Sequence, residues 1–162
     1  MVVKNTRVDP SQLDLGHLAL FLGLRVNELV MKRMERAGFR GVRESHGYLI
    51  QHLIESERSI TELARRMGVT QQAASKTVAE LIGLGMLEAV PARDRRAKRI
   101  RLSERGWRCV QMGRRTRARM DARLAASAGR ENYEQAKASL LTCLQLLGGV
   151  GRIRARRVRA PR

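Results

Sequence analysis

Apolar positions recur at helical spacing along most of the chain and change to strict alternation in only one stretch. Over residues 13–37, Leu15, Leu18, Leu22, Val26, Leu29, Val30 and Met34 form one broad stripe, which predicts a long helix. Gly38 and Gly41 break it. Tyr48, Leu49, Leu53 and Ile54 then predict a shorter helix over 46–55, packed beneath the helix-turn-helix. Ser59 with Glu62 three residues on is the spacing of a capping box, and Leu63, Ala64 and Met67 give the helix it opens an apolar stripe. Gly68 stops that helix, since glycine accepts the positive φ of a tight interhelical turn. Val69 is expected to fill the angle and Thr70 to cap the next helix, over 71–82. Ala74, Val78, Leu81 and Ile82 point inward on this spacing, leaving Gln71, Gln72, Ser75, Lys76 and Ala79 on the outer face.

After Gly83 and Gly85 the pattern becomes extended. Residues 87–92 and 97–103 read as two strands, the second alternating through Arg99, Ile100, Arg101 and Leu102 so that one face is apolar and the other cationic. Arg93, Asp94, Arg95 and Arg96 lie between them, a hairpin tip too charged to bury. Past Gly106 a basic helix is expected over 107–127, and past Gly129 another over 131–147 with Tyr133, Leu140, Leu141, Leu144 and Leu147 as its stripe. That stripe is too rich for an isolated terminal helix to leave in water. The fold class is therefore mainly α with a small β-hairpin wing: a winged helix-turn-helix over 44–103, flanked by N- and C-terminal helices (11–37 and 104–149). The arginine-rich tail, 150–162, is expected to be disordered.

Charge narrows the partner. A formal net charge of +18 and a pI near 11.6 call for a polyanion. At 3% aromatic residues the chain lacks a platform for stacking unpaired bases, whereas double-stranded DNA is read by polar side chains on a helix and by basic residues on its phosphates. Gln71, Gln72, Ser75 and Lys76, with Thr70 at the cap and Arg93, Asp94, Arg95, Arg96 and Lys98 around the hairpin, are the candidate DNA-binding set. The arginines at 105, 108, 114, 115, 117, 119 and 123 crowd the following helix, facing solvent, phosphates or acids such as Asp121 and Glu131. No apolar run is long enough to span a membrane, and residues 1–10 lack the apolar core of an export signal, so a cytoplasmic location and no membrane partner are expected. Nucleotide-binding glycine loops, nucleophile elbows and zinc-protease motifs are absent, so neither catalysis nor a cofactor is expected. His46 and His52 are six residues apart, on different helix faces, and no metal site is assigned. Cys109 and Cys143 fit a reduced compartment.

These residues resemble the multiple-antibiotic-resistance regulator (MarR) family. The resemblance is carried by T-E-L-A-R-R-M-G-V-T at 61–70, L-I-G-L-G-M-L-E at 81–88 and D-R-R-A-K-R-I-R-L-S-E-R-G at 94–106, the last being the most specific. It implies a homodimer built from the terminal helices, acting as a transcriptional regulator and most often a repressor on a pseudo-palindromic operator. Asp94 would orient the wing arginines, with Arg95 or Arg96 entering the minor groove. It also implies a small aromatic or anionic effector in the crevice between the dimerisation helices and the DNA lobe, where Arg25, His46, Tyr48 and His52 are the polar candidates. Thiol- or metal-sensing members form one alternative, although this chain has no cysteine before residue 109. A basic nucleoid-type architectural protein is another. A winged helix used only for protein contacts is disfavoured by Lys76 and the basic cluster from Arg93 to Arg101.

Overall fold

The computed structural model describes residues 8–91 and 98–156. Its helices are α1 (Leu15–Arg36), α2 (Glu44–Ile50), α3 (Ile60–Met67), α4 (Gln71–Gly83), α5 (Glu104–Ala128), α6 (Arg130–Leu146) and α7 (Val150–Arg154). A two-stranded antiparallel sheet, β1 (Leu87–Val90) and β2 (Arg99–Leu102), pairs Leu87 with Leu102 and Val90 with Arg99. Among the described residues no helix is long and apolar enough to cross a membrane.

Side-chain caps fix the helix starts. Asp14 accepts from the His17 amide at 3.0 Å, Thr70 from the Ala73 amide at 3.2 Å and Ser103 from the Gly106 amide at 3.0 Å. At α3 the capping box closes in both directions: the Ser59 hydroxyl accepts from the Glu62 amide, and the Glu62 carboxylate from the Ser59 amide at 2.7 Å. The helix expected over 46–55 instead tightens after Ile50 into a 3-10 turn, Gln51–Leu53. Arg58 Nε donates to the His52 carbonyl at 2.8 Å, satisfying an acceptor that the shortened helix leaves open. Arg58 also exchanges two backbone hydrogen bonds with Ile100, adding a bridge to the far side of β2.

One core joins these parts. Leu49 and Leu53 below, Leu63 of α3, Val78 and Leu81 of α4, Met86 and Leu87 at the turn into the sheet, and Ile100 and Leu102 of β2 are all buried, together with Val30 and Met34 of α1 and Cys109 of α5. The second strand alternates as its sequence predicts, with Ile100 and Leu102 in the core. The inward set of α4 holds for Ala74, Val78 and Leu81 but not for Ile82, which is 41% exposed. One residue past Leu81 the helix has turned about 100° away from the core. Val69 is likewise 38% exposed and only partly fills the interhelical angle.

Two expectations are corrected at the ends of α5 and the chain. Gly106 does not precede α5; the helix starts at Glu104 and Gly106 lies inside its first turn. A β-carbon on Gly106 would stand 2.1 Å from the Met86 carbonyl oxygen, so this glycine is required for close approach rather than for a break. Ser103 completes the junction, its hydroxyl donating to the Gly85 carbonyl at 2.6 Å and its amide to the Met86 carbonyl at 3.1 Å. The basic tail, expected to be unstructured from 150, begins instead with α7. Beyond α7 the Arg156 guanidinium bonds the Gln51 carbonyl and the Glu55 carboxylate, while Gln51 Nε2 donates back to the Arg156 carbonyl at 2.9 Å. These acceptors at the end of α2 give the arginine a docking point that composition does not reveal.

Candidate nucleic-acid interface and adjoining cavity

The Gly68 turn, at φ 67°, presents α4 across α3. Val69 donates back to the Ala64 carbonyl at 3.1 Å, closing the end of α3, and Thr70 opens α4 one residue later. Gln71, Gln72, Ser75, Lys76 and Ala79 are all exposed, backed by fully buried Ala74 and Leu81. The first turn of α4 carries no acidic side chain, so its positive dipole end is left uncompensated toward solvent. Amide, hydroxyl and ammonium groups thus share one convex face held by a packed core. Lys98 is exposed at the base of the hairpin. Arg93, Asp94, Arg95 and Arg96 lie outside the described residues.

The cationic face of β2 is not free charge. Arg99 reaches Glu62 at 3.4 Å and Glu57 at 3.8 Å, and Arg101 reaches Glu88 at 2.6 Å across the strand pair. Glu62 therefore serves both the α3 cap and the wing strand. The Ser59 amide, with help from Arg99, holds its carboxyl below the usual carboxylate range against the opposing effect of burial. Arg105 is also structural, since its guanidinium donates to the Gly38 carbonyl at 2.7 Å and stacks over Phe39 at 5.3 Å. On the same helix Arg108 pairs with Glu104 at 3.4 Å, and Arg117 donates to the Asn27 side chain at 3.0 Å. These three arginines take partners other than Asp121 and Glu131, the acids that the sequence offers them.

A cavity of about 740 Å³ opens between α1, α2 and α5, walled by Leu24, Met31, Met34, Ile54 and Val110. A polar chain crosses its edge: Arg117 donates to Asn27, Asn27 to Glu44 at 2.9 Å, and the Tyr48 hydroxyl to the same Glu44 oxygen at 3.0 Å. Arg43 and Arg114 also line it. Of the four polar candidates for this crevice, only Tyr48 reaches it. Arg25 is exposed and pairs with Glu28 at 2.6 Å on the outer side of α1. His46 is 1% exposed and turned the other way, because two residues of helix separate it from Tyr48 by about 200°. His52 is buried in the 3-10 turn and does not line the cavity. Arg43, Asn27, Arg114 and Arg117 are not among the residues that the sequence suggests for this crevice; the small and apolar set Cys109, Val110 and Gly113 on α5 marks the face that carries the last two.

His46 forms a relay instead. Its Nδ1 accepts the Arg43 backbone N–H at 3.1 Å, so the ring proton sits on Nε2 and points to the Glu80 carboxylate on α4 at 3.2 Å. The Arg43 guanidinium bonds the same Glu80 oxygen. The His46 hydrogen bond, reinforced by Arg43, keeps the Glu80 carboxyl below its ordinary range despite desolvation. Cys109 lines the cavity as a buried thiol, pushed up to about 11 by burial, the opposite of a poised thiolate. Among the described residues no three His, Cys, Asp or Glu side chains cluster as metal ligands.

Residues 41–97 match the family profile of the MarR family. Comparison with solved structures finds the YusO protein of Bacillus subtilis at 20% identity and TM-score 0.67, covering 85% of this chain and 99% of that one. A mutant of MepR from S. aureus bound to an oligodeoxyribonucleotide is similar at 18% identity and TM-score 0.63, covering 84% and 99%. Wild-type MarR from E. coli, in its apo form, aligns at 16% identity and TM-score 0.62, covering 82% and 97%. At these identities the likeness to the solved structures is one of fold. No curated protein matches the sequence.

Proposed function

We propose that this chain, which belongs to the MarR family of winged helix-turn-helix proteins, is a DNA-binding transcriptional regulator without enzymatic activity. The observation that carries the reading is the exposed Gln71–Gln72–Ser75–Lys76 face, backed by the core through Ala74, Val78 and Leu81. Such a helix enters a major groove, where glutamine pairs with adenine and lysine donates to guanine. The MepR likeness supports the same use of the fold, since that protein is bound to an oligodeoxyribonucleotide. Thr70 and Lys98 flank the groove, and Arg93, Arg95 and Arg96 bring the hairpin's charge to phosphates or the minor groove, with Asp94 orienting them.

The working form is a homodimer. α1 leaves Leu15, Leu18, Phe21 and Leu22 exposed, and α6 buries none of its residues in a single subunit. A second copy covering both faces repeats α4 about a two-fold axis, with half-sites roughly 10 bp apart on a pseudo-palindromic operator. The protein acts in the cytoplasm, most simply as a repressor that a small apolar or aromatic anion releases from DNA. The cavity with its arginine rim supports that effector. Footprinting on the DNA flanking its own gene is the test: one protected palindrome is expected, whereas uniform, salt-controlled protection of all sequences would make it a nucleoid-type architectural protein.

A further inference from the structure

We infer that Arg43 couples the cavity to the recognition helix, and that the cavity takes an apolar carboxylate whose head group draws the Arg43 guanidinium away from Glu80. The inference rests on the regulator reading. Arg43 is the residue common to both places: it lines the cavity at the start of α2, yet its guanidinium is bonded to a carboxylate on α4.

Its departure leaves nothing buried without a partner. Glu80 keeps the His46 Nε2 proton at 3.2 Å and is 34% exposed to water. α2 keeps its own start, because the cap runs from the Arg43 backbone N–H to His46 Nδ1 and does not use the guanidinium. The ion pair can therefore exchange partners while the fold stays intact. The released Glu80 lies four residues after Lys76, the spacing at which side chains on a helix meet. A carboxylate freed there competes with DNA for Lys76 and adds negative charge beside the phosphates. α4 also loses its tether to α2.

The chemistry of the cavity selects the ligand. Its rim offers Arg43, Arg114 and Arg117 against the single carboxylate Glu44, which is already occupied by Asn27 and Tyr48. Arg114 makes no ion pair or hydrogen bond among the described residues. The walls are aliphatic side chains and two methionines, Met31 and Met34, with Tyr48 as the one ring. Adaptable walls of this kind suit a flexible hydrocarbon chain. A medium-chain carboxylate, apolar at one end and anionic at the other, meets both requirements.

Decanoate and its uncharged isostere decanamide test this on the full chain. Decanoate is expected to weaken operator binding by about tenfold, in the ordinary range of coupling between two sites, and decanamide to leave it unchanged. Glu80→Gln keeps an acceptor for His46 but removes the charge that holds Arg43. It should bind decanoate at least as tightly as the wild type while its operator affinity responds less than about twofold. Arg43→Gln should lose most decanoate affinity by calorimetry. In the absence of DNA, decanoate should shift the His46 ring resonances in the wild type and not in Arg43→Gln. A wild-type protein that binds no specific duplex defeats the regulator reading, but the calorimetry and the His46 resonances still decide the inference. Failure of decanoate to bind, equal action of decanamide, or a fully responsive Glu80→Gln overturns it.

Discussion

At the residue scale, Lys76 and Arg99 are both cations near the same surface, yet their charges are differently disposed. Arg99 is held by Glu57 and Glu62, while Lys76 stands on the exposed face of α4. Alanine at Gln72, Ser75 or Lys76 is therefore expected to cost roughly 1–3 kcal/mol on the preferred duplex and far less on random DNA, measured as the ratio of the two affinities. Arg95→Ala and Arg96→Ala should weaken both duplexes and reduce the slope of log affinity against log salt by about 0.9 for each phosphate no longer neutralised. Asp94→Ala should act as a milder version of the arginine losses; tighter binding would refute its orienting role. Cys109 belongs to the same scale. With its thiol raised to about 11, it should resist maleimide at neutral pH in the folded protein and react once the chain is unfolded, followed by mass spectrometry.

Elements are joined here by short-range geometry more than by sequence-wide patterning. α3 depends on the reciprocal bonds of Ser59 and Glu62, and Ser59→Ala should cost about 1 kcal/mol in denaturant melts. The Glu62 carboxyl is depressed in the folded state, so its stabilising effect is present above its unfolded value and is lost as pH falls through the lower, folded one. Glu62→Gln should accordingly flatten the acid limb of stability against pH. The junction of β1, β2 and α5 depends on a glycine. Gly106→Ala would drive a methyl group into the Met86 carbonyl and should destabilise by about 1–3 kcal/mol or more, read as a drop in Tm without loss of helix content below the transition.

For the whole molecule, the apolar residues left in water set the assembly. Leu18 and Phe21 on α1, Leu141 on α6 and Leu147 at its end are each more than 40% exposed in the single subunit. Placing Glu at both 141 and 147 should yield a monomer by light scattering, with operator affinity falling by at least the avidity of the second half-site while the thermal transition of the DNA lobe persists. A variant that stays dimeric and binds normally would move the interface elsewhere.

Elements with a local cause can be read from the residues alone. The Ser59–Glu62 box, the Gly68 turn, the Thr70 cap, the alternation of Ile100 and Leu102, and the exposed face of α4 are all legible there, because caps, glycine conformations and amphipathic spacing act over three or four residues. Meetings between distant segments come from packing instead. Gly106 reads as a helix breaker until Met86 is seen against it, and the Arg99 charge reads as free until Glu57 and Glu62 neutralise it. His46 belongs to a relay toward Glu80 rather than to the cavity, and Arg43 and Arg114 reach the cavity from segments about 70 residues apart in the chain. Spacing along one helix fixes which side chains share a face; which face meets the cavity depends on packing between helices, and no local pattern records that.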